Sequence, residues 1–352
     1  MRHDTATVAE LDRFDALVDV RSPAEFAEDH IPGAASMPVL DDAERAHVGT
    51  LYKQSSPFLA RKVGAALVAR NIARHLEARL LHEERRWRPL VYCWRGGQRS
   101  GAMTVVLRQV GWDARQLEGG YKAFRRHVIA ELESLPGRYA FRVLCGLTGS
   151  GKSRLLEALA AHGAQTLDLE ALAAHRGSVL GNRPDTGQPA QRLFESRLWD
   201  ALRRLEPGRP VYVEAESKKI GRLRVPEPII TRIRAADCVR IEAEVDTRVA
   251  LLLQQYAHYL GDVPSLAASL ETLAPLHGHA RIAAWLALAE AGRWQELVAD
   301  LLERHYDPAY GRSTAERFAG YGQAPRLRVP GPDDAAFEAL AAQLVAGERA
   351  AA

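Results

Sequence analysis

Two stretches of the 352-residue chain combine residue types that chemistry needs. In "VYCWRGGQRSG", residues 91–101, an apolar run leads to Cys93, and Arg95, Gly96, Gly97, Arg99 and Ser100 follow. A cysteine at the carboxyl end of a strand, just before a helix, lies where α/β sheets place ligands. N–H groups of residues 94–99 can wrap the sulfur, Arg95 and Arg99 add charge, and the next helix adds its positive end. Each effect favours thiolate, the nucleophilic form of sulfur. In "VLCGLTGSGKS", residues 143–153, the pattern G-x-x-x-x-G-K-[ST] is complete. Gly146, Gly149, Ser150 and Gly151 let the backbone curl around an anion. Lys152 brings a mobile charge to the outer phosphates, and the Ser153 hydroxyl suits a Mg²⁺ ligand.

Such a phosphate loop works with carboxylates at the ends of neighbouring strands. Asp168 ends "TLDLE", and Glu214 and Glu216 end "VYVEAE", where alternation puts both on one side of the strand. Beyond Ser153 no residue set spells out a metal site. His277 and His279 have no clustered co-ligands in the sequence and read as structural or RNA-contacting. Cys145 and Cys238 sit inside apolar runs and read as core, the commonest place for a free cysteine.

The elements that position these loops alternate in type. "ALVDV" and "ASMPV" read as short strands, Ser22-Pro23 as a helix start, and 58–81 as a helix. "PLVYCW" reads as a buried strand, and "SGAMTVVLRQVGW" has apolar residues at helical spacing. The Pro-Gly of "LESLPGRYA" marks a linker, which gives domains 1–135 and 136–352. After it come strand "FRVLCGL", the second loop, a helix closed by Gly163, strand "AQTLDLE" and helix 191–205. Strands "PVYVEAES" and "CVRIEAEV" follow, and then a mainly helical remainder. The expected class is α/β, with parallel sheets covered by helices.

Composition narrows the partners. Hydrophobic residues make up 47% and charged residues 26%, with no run of membrane-spanning length and no signal-peptide core at the N-terminus. Three cysteines without CxxC spacing argue against a disulfide framework, so a cytoplasmic location is expected. The net charge of +3 permits a nucleic-acid partner without demanding one. Among the local basic clusters, Lys218, Lys219, Arg222 and Arg224 are the candidates to grip RNA phosphates.

"LVDVRSPAEFAEDHIPGA" resembles the N-terminal signature of rhodanese domains, and "LEGGYKAF" resembles their closing motif. The C-x₅-R spacing of Cys93 and Arg99 also suits a cysteine phosphatase, so the loop alone leaves both chemistries open. The fusion of this loop to "GLTGSGKS" resembles the tRNA 2-selenouridine synthase family. So do "LYKQSSPFLARKVGAALVARNI", "LDLEALAAHRGSVLG", "QPAQRLFES", "VYVEAESKKIG", "HGHARIAAW" and "HYDPAY", over about Asp19 to Tyr310.

The resemblance implies an N-terminal rhodanese-like domain and a C-terminal P-loop NTPase-like parallel-sheet domain with additional helices. It implies a transferase that replaces sulfur by selenium in the wobble 2-thiouridine of tRNA. The route runs through S-geranylation by geranyl diphosphate and then selenation by selenophosphate. In that scheme Cys93 matches the essential rhodanese cysteine, either carrying selenium or helping to expel the geranyl thiol. Gly146 to Ser153 would cradle the leaving pyrophosphate, and an enzyme supplying selenophosphate becomes a possible partner. The sequence leaves a Mg²⁺ requirement open. The alternatives are a P-loop ATPase or kinase with a rhodanese-type sulfurtransferase or phosphatase domain, and a tRNA-binding module that delivers sulfur without catalysis.

Overall fold

The computed structural model describes residues 4–184, 186–309 and 316–351. Tyr310, the last residue of the "HYDPAY" stretch, lies outside them. The chain forms two compact units, one of residues 1–131 with 190–200, the other of 132–189 with 201–352.

The first unit is built on a five-stranded parallel sheet. Its strands are β1 (Thr5–Ala6), β2 (Ala16–Asp19), β3 (Ala35–Ser36), β4 (Pro89–Tyr92) and β5 (Arg115–Leu117), in the order β1-β5-β4-β2-β3. All four residues of the central β4 are buried, as a strand covered on both faces requires. Helix α1 (Pro23–Glu28) starts after Ser22 with proline in its first turn, and the Glu25 carboxylate accepts the Ser22 N–H at 3.1 Å. Between β3 and β4 lies a hairpin of α2 (Asp42–Gln54) and α3 (Pro57–His75), the latter passing into a π-helical turn at Leu76–Leu80. Helix α4 (Gln98–Val110) follows the cysteine loop and ends on Gly111 at φ +114°. Helix α5 (Gly120–Ser134) follows β5.

The sheet of the second unit contains β6 (Ala140–Cys145), β7 (Gln165–Leu167), β8 (Pro210–Glu214), β11 (Asp237–Glu242) and β12 (Arg326–Arg328), all parallel, ordered β12-β11-β6-β8-β7. A separate antiparallel pair joins β9 (Lys219–Ile220) and β10 (Leu223–Arg224). Helix α6 (Lys152–Ala161) leaves the Gly-rich loop after β6, and short α7 (Leu169–Ala173) follows β7. Leu144, Leu155, Leu159, Tyr212, Ile241 and Phe337 pack between sheet and helices. A second apolar cluster, around Trp285, Leu270 and Leu297, is mostly helical. Helix α8 (Gln191–Arg203) lies between β7 and β8 in sequence, and its residues up to Asp200 group with the first unit. No helix of the described residues is long and apolar enough to cross a membrane.

The "EGG" turn before α5 is what shapes the cysteine loop. Gly120 has φ +57°, and a Cβ there would lie 2.3 Å from the Cys93 carbonyl oxygen and 2.4 Å from the Gly96 nitrogen. The close approach lets Tyr121 N–H donate to the Cys93 carbonyl at 2.8 Å and Lys122 N–H to the Trp94 carbonyl at 3.0 Å. Gly49, in exposed α2, meets nothing within 4 Å. Gly120→Ala should therefore lower the folding stability by about 2 kcal/mol or more, whereas Gly49→Ala should be neutral or raise it by about 0.5–1 kcal/mol. Urea unfolding of the two variants checks this, and equal effects would contradict it.

Candidate active site

Cys93 follows the central strand of the first sheet and is 4% exposed. Its sulfur accepts hydrogen bonds from Gly97 N–H at 3.2 Å and from the Ser100 hydroxyl at 3.1 Å. The Gln116 side-chain amide donates to the Ser100 oxygen at 2.7 Å and to the Gly97 carbonyl at 3.0 Å, which orients both donors. Burial pushes the thiol pKa up. Hydrogen bonds from the Ser100 side chain and from the N–H groups of Ser100, Gly97 and Arg95 outweigh it, and the thiol sits below its ordinary value. A reaction partner must reach the sulfur through a ring whose members Trp94, Arg95, Gly97 and Gln98 are exposed.

The two arginines expected beside the sulfur are placed differently from each other. Arg99 forms a two-pronged ion pair with Glu25, at 2.7 and 3.3 Å, tying the loop to α1. Arg95 contributes its backbone N–H to the sulfur while its side chain is exposed. The "DVRS" stretch supplies a buried pair nearby. Arg21 binds Asp19 at 2.6 Å and lies 4.1 Å from the centre of the Tyr121 ring, and the Tyr121 hydroxyl donates to Asp29 at 2.8 Å. Gln116 and Glu25 were not singled out in the sequence, and Ser100 was named there only as part of the cysteine loop.

In the second unit the loop 146–151 leaves β6 with Gly149 at φ +78° and Gly151 at φ +83°. A Cβ at Gly146 would meet the Ser150 hydroxyl at 2.5 Å and the Ile241 carbonyl at 2.8 Å. Lys152 Nζ donates to the carbonyls of Gly146 and Leu147, at 3.0 and 3.2 Å. The buried Arg248 braces the loop. Its Nε donates to the Thr148 carbonyl at 2.8 Å, and its two terminal nitrogens bind Asp307 of "HYDPAY" at 3.0 and 2.6 Å.

Register pairs Leu144 of β6 with Glu214 of β8, so Glu214 emerges beside the loop. Glu170, Glu214 and Glu216 are buried together, with one oxygen of each within 4.8 Å of the others. Among the described residues this is the one such group able to ligate a metal ion. Asp168, the expected member, instead caps α7 by accepting Ala171 N–H at 2.7 Å, and it lines the cleft. Glu170, two positions on, reaches the cluster and lies 3.4 Å from the Ser153 hydroxyl. Burial, followed by repulsion from Glu170 and Asp168, pushes Glu214 up to about 8. Burial, followed by repulsion from Glu216 for Glu170 and from Glu214 for Glu216, raises the other two as well. Both Glu214 oxygens lack hydrogen-bond partners among the described residues. Three converging carboxylates with free lone pairs and a serine hydroxyl alongside have the oxygen donor chemistry of a Mg²⁺-type cation.

A cleft of about 470 Å³ opens over this loop and is lined by Lys152, Ser153, Arg154, Glu170, Arg176 and Arg183, among others. Buried nitrogens of Arg176 and Arg183 have no partner among the described residues, and the Arg176 guanidinium lies 5.0 Å from the Tyr256 ring centre. Donors of this kind, facing a cleft, suit a multiply charged phosphate group. An apolar crevice of about 60 Å³ adjoins the cleft, and Thr148, Leu252 and Tyr256 line both. Leu266, Trp294, Leu297 and Leu301 complete its wall. A third, open groove of about 500 Å³ shares Ser178 with the cleft and is lined by Gln188, Lys219 and Arg222. Arg222 also donates to the Gln188 carbonyl, Lys218 pairs with Glu227, and Arg224 is engaged elsewhere. His277 hydrogen-bonds His305 at 3.0 Å, and His279 pairs with Glu271, so neither joins the carboxylate cluster.

Comparison with known proteins identifies the two domains. A family model described as the tRNA 2-selenouridine synthase AAA domain matches residues 139–272, and one for the rhodanese-like domain matches residues 5–127. Proteins named tRNA 2-selenouridine synthase are similar over most of their length. That of Alcanivorax borkumensis is 38% identical over 76% of this chain and 75% of its own. That of Cupriavidus necator is 35% identical over 86% and 89%. The chain belongs to the tRNA 2-selenouridine synthase family. An N-terminal rhodanese-like domain followed by a P-loop-type parallel-sheet domain with further helices is thus the architecture of this member of the family, and it is the one expected from the sequence.

Two outcomes follow from the electrostatics of the synthase-family loops. Alkylation of Cys93 by iodoacetamide should rise with pH through a midpoint below that of an ordinary thiol. Ser100→Ala should move the midpoint upward, slow alkylation at neutral pH and leave the high-pH plateau in place; an unmoved midpoint would contradict the assignment. The carboxylates act in the opposite sense. Between the ordinary carboxylate range and about pH 8, the folded state holds a proton on Glu214 that the unfolded chain has released. Stability of the metal-free protein should fall as pH rises through that window. Glu214→Gln should flatten the fall, as read from melting temperatures in chelator between pH 5 and 8.

Proposed function

We propose that this chain is a tRNA 2-selenouridine synthase, a tRNA-modifying transferase that replaces the sulfur of a wobble 2-thiouridine by selenium. The observation that carries the reading is the pairing of two spaces around one loop. A cleft lined by Lys152, Arg176 and Arg183, with carboxylates among its other lining residues, adjoins an apolar crevice through Thr148, Leu252 and Tyr256. A prenyl diphosphate has that polarity, a charged head and a hydrocarbon tail. The crevice is smaller than a ten-carbon chain, so taking up geranyl requires its side chains to move apart.

In the first step the thiocarbonyl sulfur of the tRNA base attacks C1 of geranyl diphosphate. The C–S bond forms, the C1–O bond breaks, pyrophosphate leaves, and the base's N3 proton passes to pyrophosphate or solvent. Lys152, freed from the loop carbonyls, and the unpartnered nitrogens of Arg176 and Arg183 stabilise the charge on the departing oxygen. Arg248 keeps the loop backbone in place through Thr148. A divalent cation held by Glu170, Glu214, Glu216 and Ser153 would supply further positive charge at the diphosphate.

In the second step selenium from selenophosphate attacks C2 of the alkylated base. The C–Se bond forms, the C–S bond breaks, and geranyl thiol leaves; water takes the phosphoryl group as phosphate. Cys93 serves this step as a thiolate, as a selenium carrier or in expelling the geranyl thiol. Lys219 and Arg222, on the groove that joins the cleft at Ser178, hold tRNA phosphates with Lys218 and Arg224. The donor's chemistry calls for a selenophosphate-supplying enzyme, and the reaction belongs in the cytoplasm, where tRNA is.

The test is to incubate the protein with thiolated tRNA and geranyl diphosphate, add selenophosphate, and weigh the digested nucleosides. Lys152→Ala should cut formation of the geranyl adduct by roughly 10²–10³-fold. Cys93→Ala should block selenium entry while sparing the adduct. Brisk ATP hydrolysis without tRNA, and no adduct, would instead identify a P-loop ATPase carrying a rhodanese-type domain.

A further inference from the structure

The hairpin α2–α3 has no part in either reactive loop, yet its composition is unlike the rest of the chain. The whole sequence balances 47 lysines and arginines against 44 acidic residues. Between Glu44 and Glu77 there is no acidic residue, while Arg45, Lys53, Arg61, Lys62, Arg70 and Arg74 all fall there. Near the base of the hairpin these charges have partners. Arg45 pairs with Glu25 at 3.2 Å, Arg70 with Glu44 at 2.9 Å, and Arg74 donates to Asn71 at 3.3 Å.

At the tip they do not. Among the described residues, Lys53, Arg61 and Lys62 form no ion pair; Arg61 donates to the Pro57 carbonyl, and Lys62 Nζ lies 5.1 Å from the centre of the Phe58 ring. The same tip exposes large apolar side chains, with Tyr52 58%, Phe58 65% and Leu59 38% exposed. Helix α2 buries no residue at all, and α3 buries only Ala60, Asn71 and Ile72. The hairpin holds together by close approach, with a Cβ at Gly64 falling 3.4 Å from Val48. Two exposed aromatic rings in contact with solvent do nothing for the core of the unit.

We propose that this tip is an RNA-docking surface that grips an unpaired strand of the substrate tRNA. Lys53, Arg61 and Lys62 neutralise backbone phosphates, and Tyr52 and Phe58 present ring faces on which unstacked bases lie. Charge complementarity selects the partner: three unpaired cations without a nearby carboxylate suit a polyanion, and aromatic faces between them suit bases rather than a lipid headgroup or an acidic peptide. The proposal rests on the reading that tRNA is the substrate, and adds a second contact region to the Lys219 and Arg222 groove.

The test measures binding of thiolated tRNA to the full chain by filter retention over a series of salt concentrations. Lys53→Glu/Arg61→Glu/Lys62→Glu should weaken binding roughly tenfold or more. It should also flatten the log–log salt slope by about 2, because three phosphates of a single strand are no longer neutralised. Tyr52→Ala/Phe58→Ala should weaken binding roughly tenfold and leave the slope in place. Both variants should keep the wild-type melting temperature and Cys93 alkylation rate, which shows that the unit is folded. If wild type binds tRNA and the charge-reversed variant matches it in affinity and slope, the hairpin proposal is overturned and the tRNA reading stands. If wild type itself does not bind tRNA, the tRNA reading falls and takes the proposal with it. Wild-type sedimentation with phosphatidylglycerol vesicles that tRNA cannot displace would also overturn the proposal, by assigning the tip to a lipid surface.

Discussion

Both Gly-rich loops depend on a tightly curled backbone, and the rest of the structure depends on keeping that backbone curled. A thiolate at Cys93 is stable only while Gly97 N–H and the Ser100 hydroxyl point at it. That requires the turn before α5 to press against the loop at a distance no side chain allows, which is why Gly96 and Gly120 both take left-handed conformations. In the second unit Gly149 and Gly151 do the same work around the phosphate cradle, one against Leu252 and the other against the Phe337 ring. In each unit the loop also follows the strand in the middle of its sheet, β4 or β6, so neighbours on both sides hold its root.

Arginine divides into two kinds of use. Arg21, Arg99 and Arg248 each sit against a carboxylate and are largely withdrawn from water. Burying such pairs gains little net stability, because desolvation offsets attraction, but removing one partner leaves a buried charge alone. They act as braces: Arg99 ties the cysteine loop to α1, and Arg248 ties Thr148 to Asp307. Arg176 and Arg183 are the other kind. Each lines the cleft and keeps one buried donor nitrogen without a partner among the described residues, a condition that costs stability.

The parts legible in the sequence were those in which a motif and its element coincide. The Cys93 loop, the Gly146–Ser153 loop, the parallel order of strands and helices, and Glu214 at a strand end all read directly. What could not be read was long-range pairing. Glu25 stands 74 residues from Arg99 and Gln116 stands 16 from Ser100, and nothing local announces either. Glu170 was missed for another reason: the strand end pointed to Asp168, but the chain turns helical there, so Asp168 becomes a cap and the residue two positions on enters the cluster. The apolar crevice was hidden because Leu252, Leu253 and Leu297 show the same helical spacing whether they fill a core or line a cavity. Helix α8 reads as part of the second βα series, yet residues 190–200 group with the first unit, since amphipathic spacing does not say which core a helix covers.

The carboxylate trio sets the terms on which any diphosphate can enter the cleft. Burial first, and repulsion among neighbouring carboxylates second, raise the pKa values of Glu170, Glu214 and Glu216, and Lys152 acts against that rise. A diphosphate draws Lys152 toward itself and adds negative charge beside Ser153. Both changes penalise ionised carboxylates further. An anion bound there would therefore favour carboxylates that keep their protons, or a divalent cation that offsets their charge. The two routes differ in consequence. Protons would leave the carboxylates neutral and a bound anion fully charged. A divalent cation held by Glu170, Glu214, Glu216 and Ser153 would offset both, so the buried cluster that destabilises the empty fold would favour the anion-bound state.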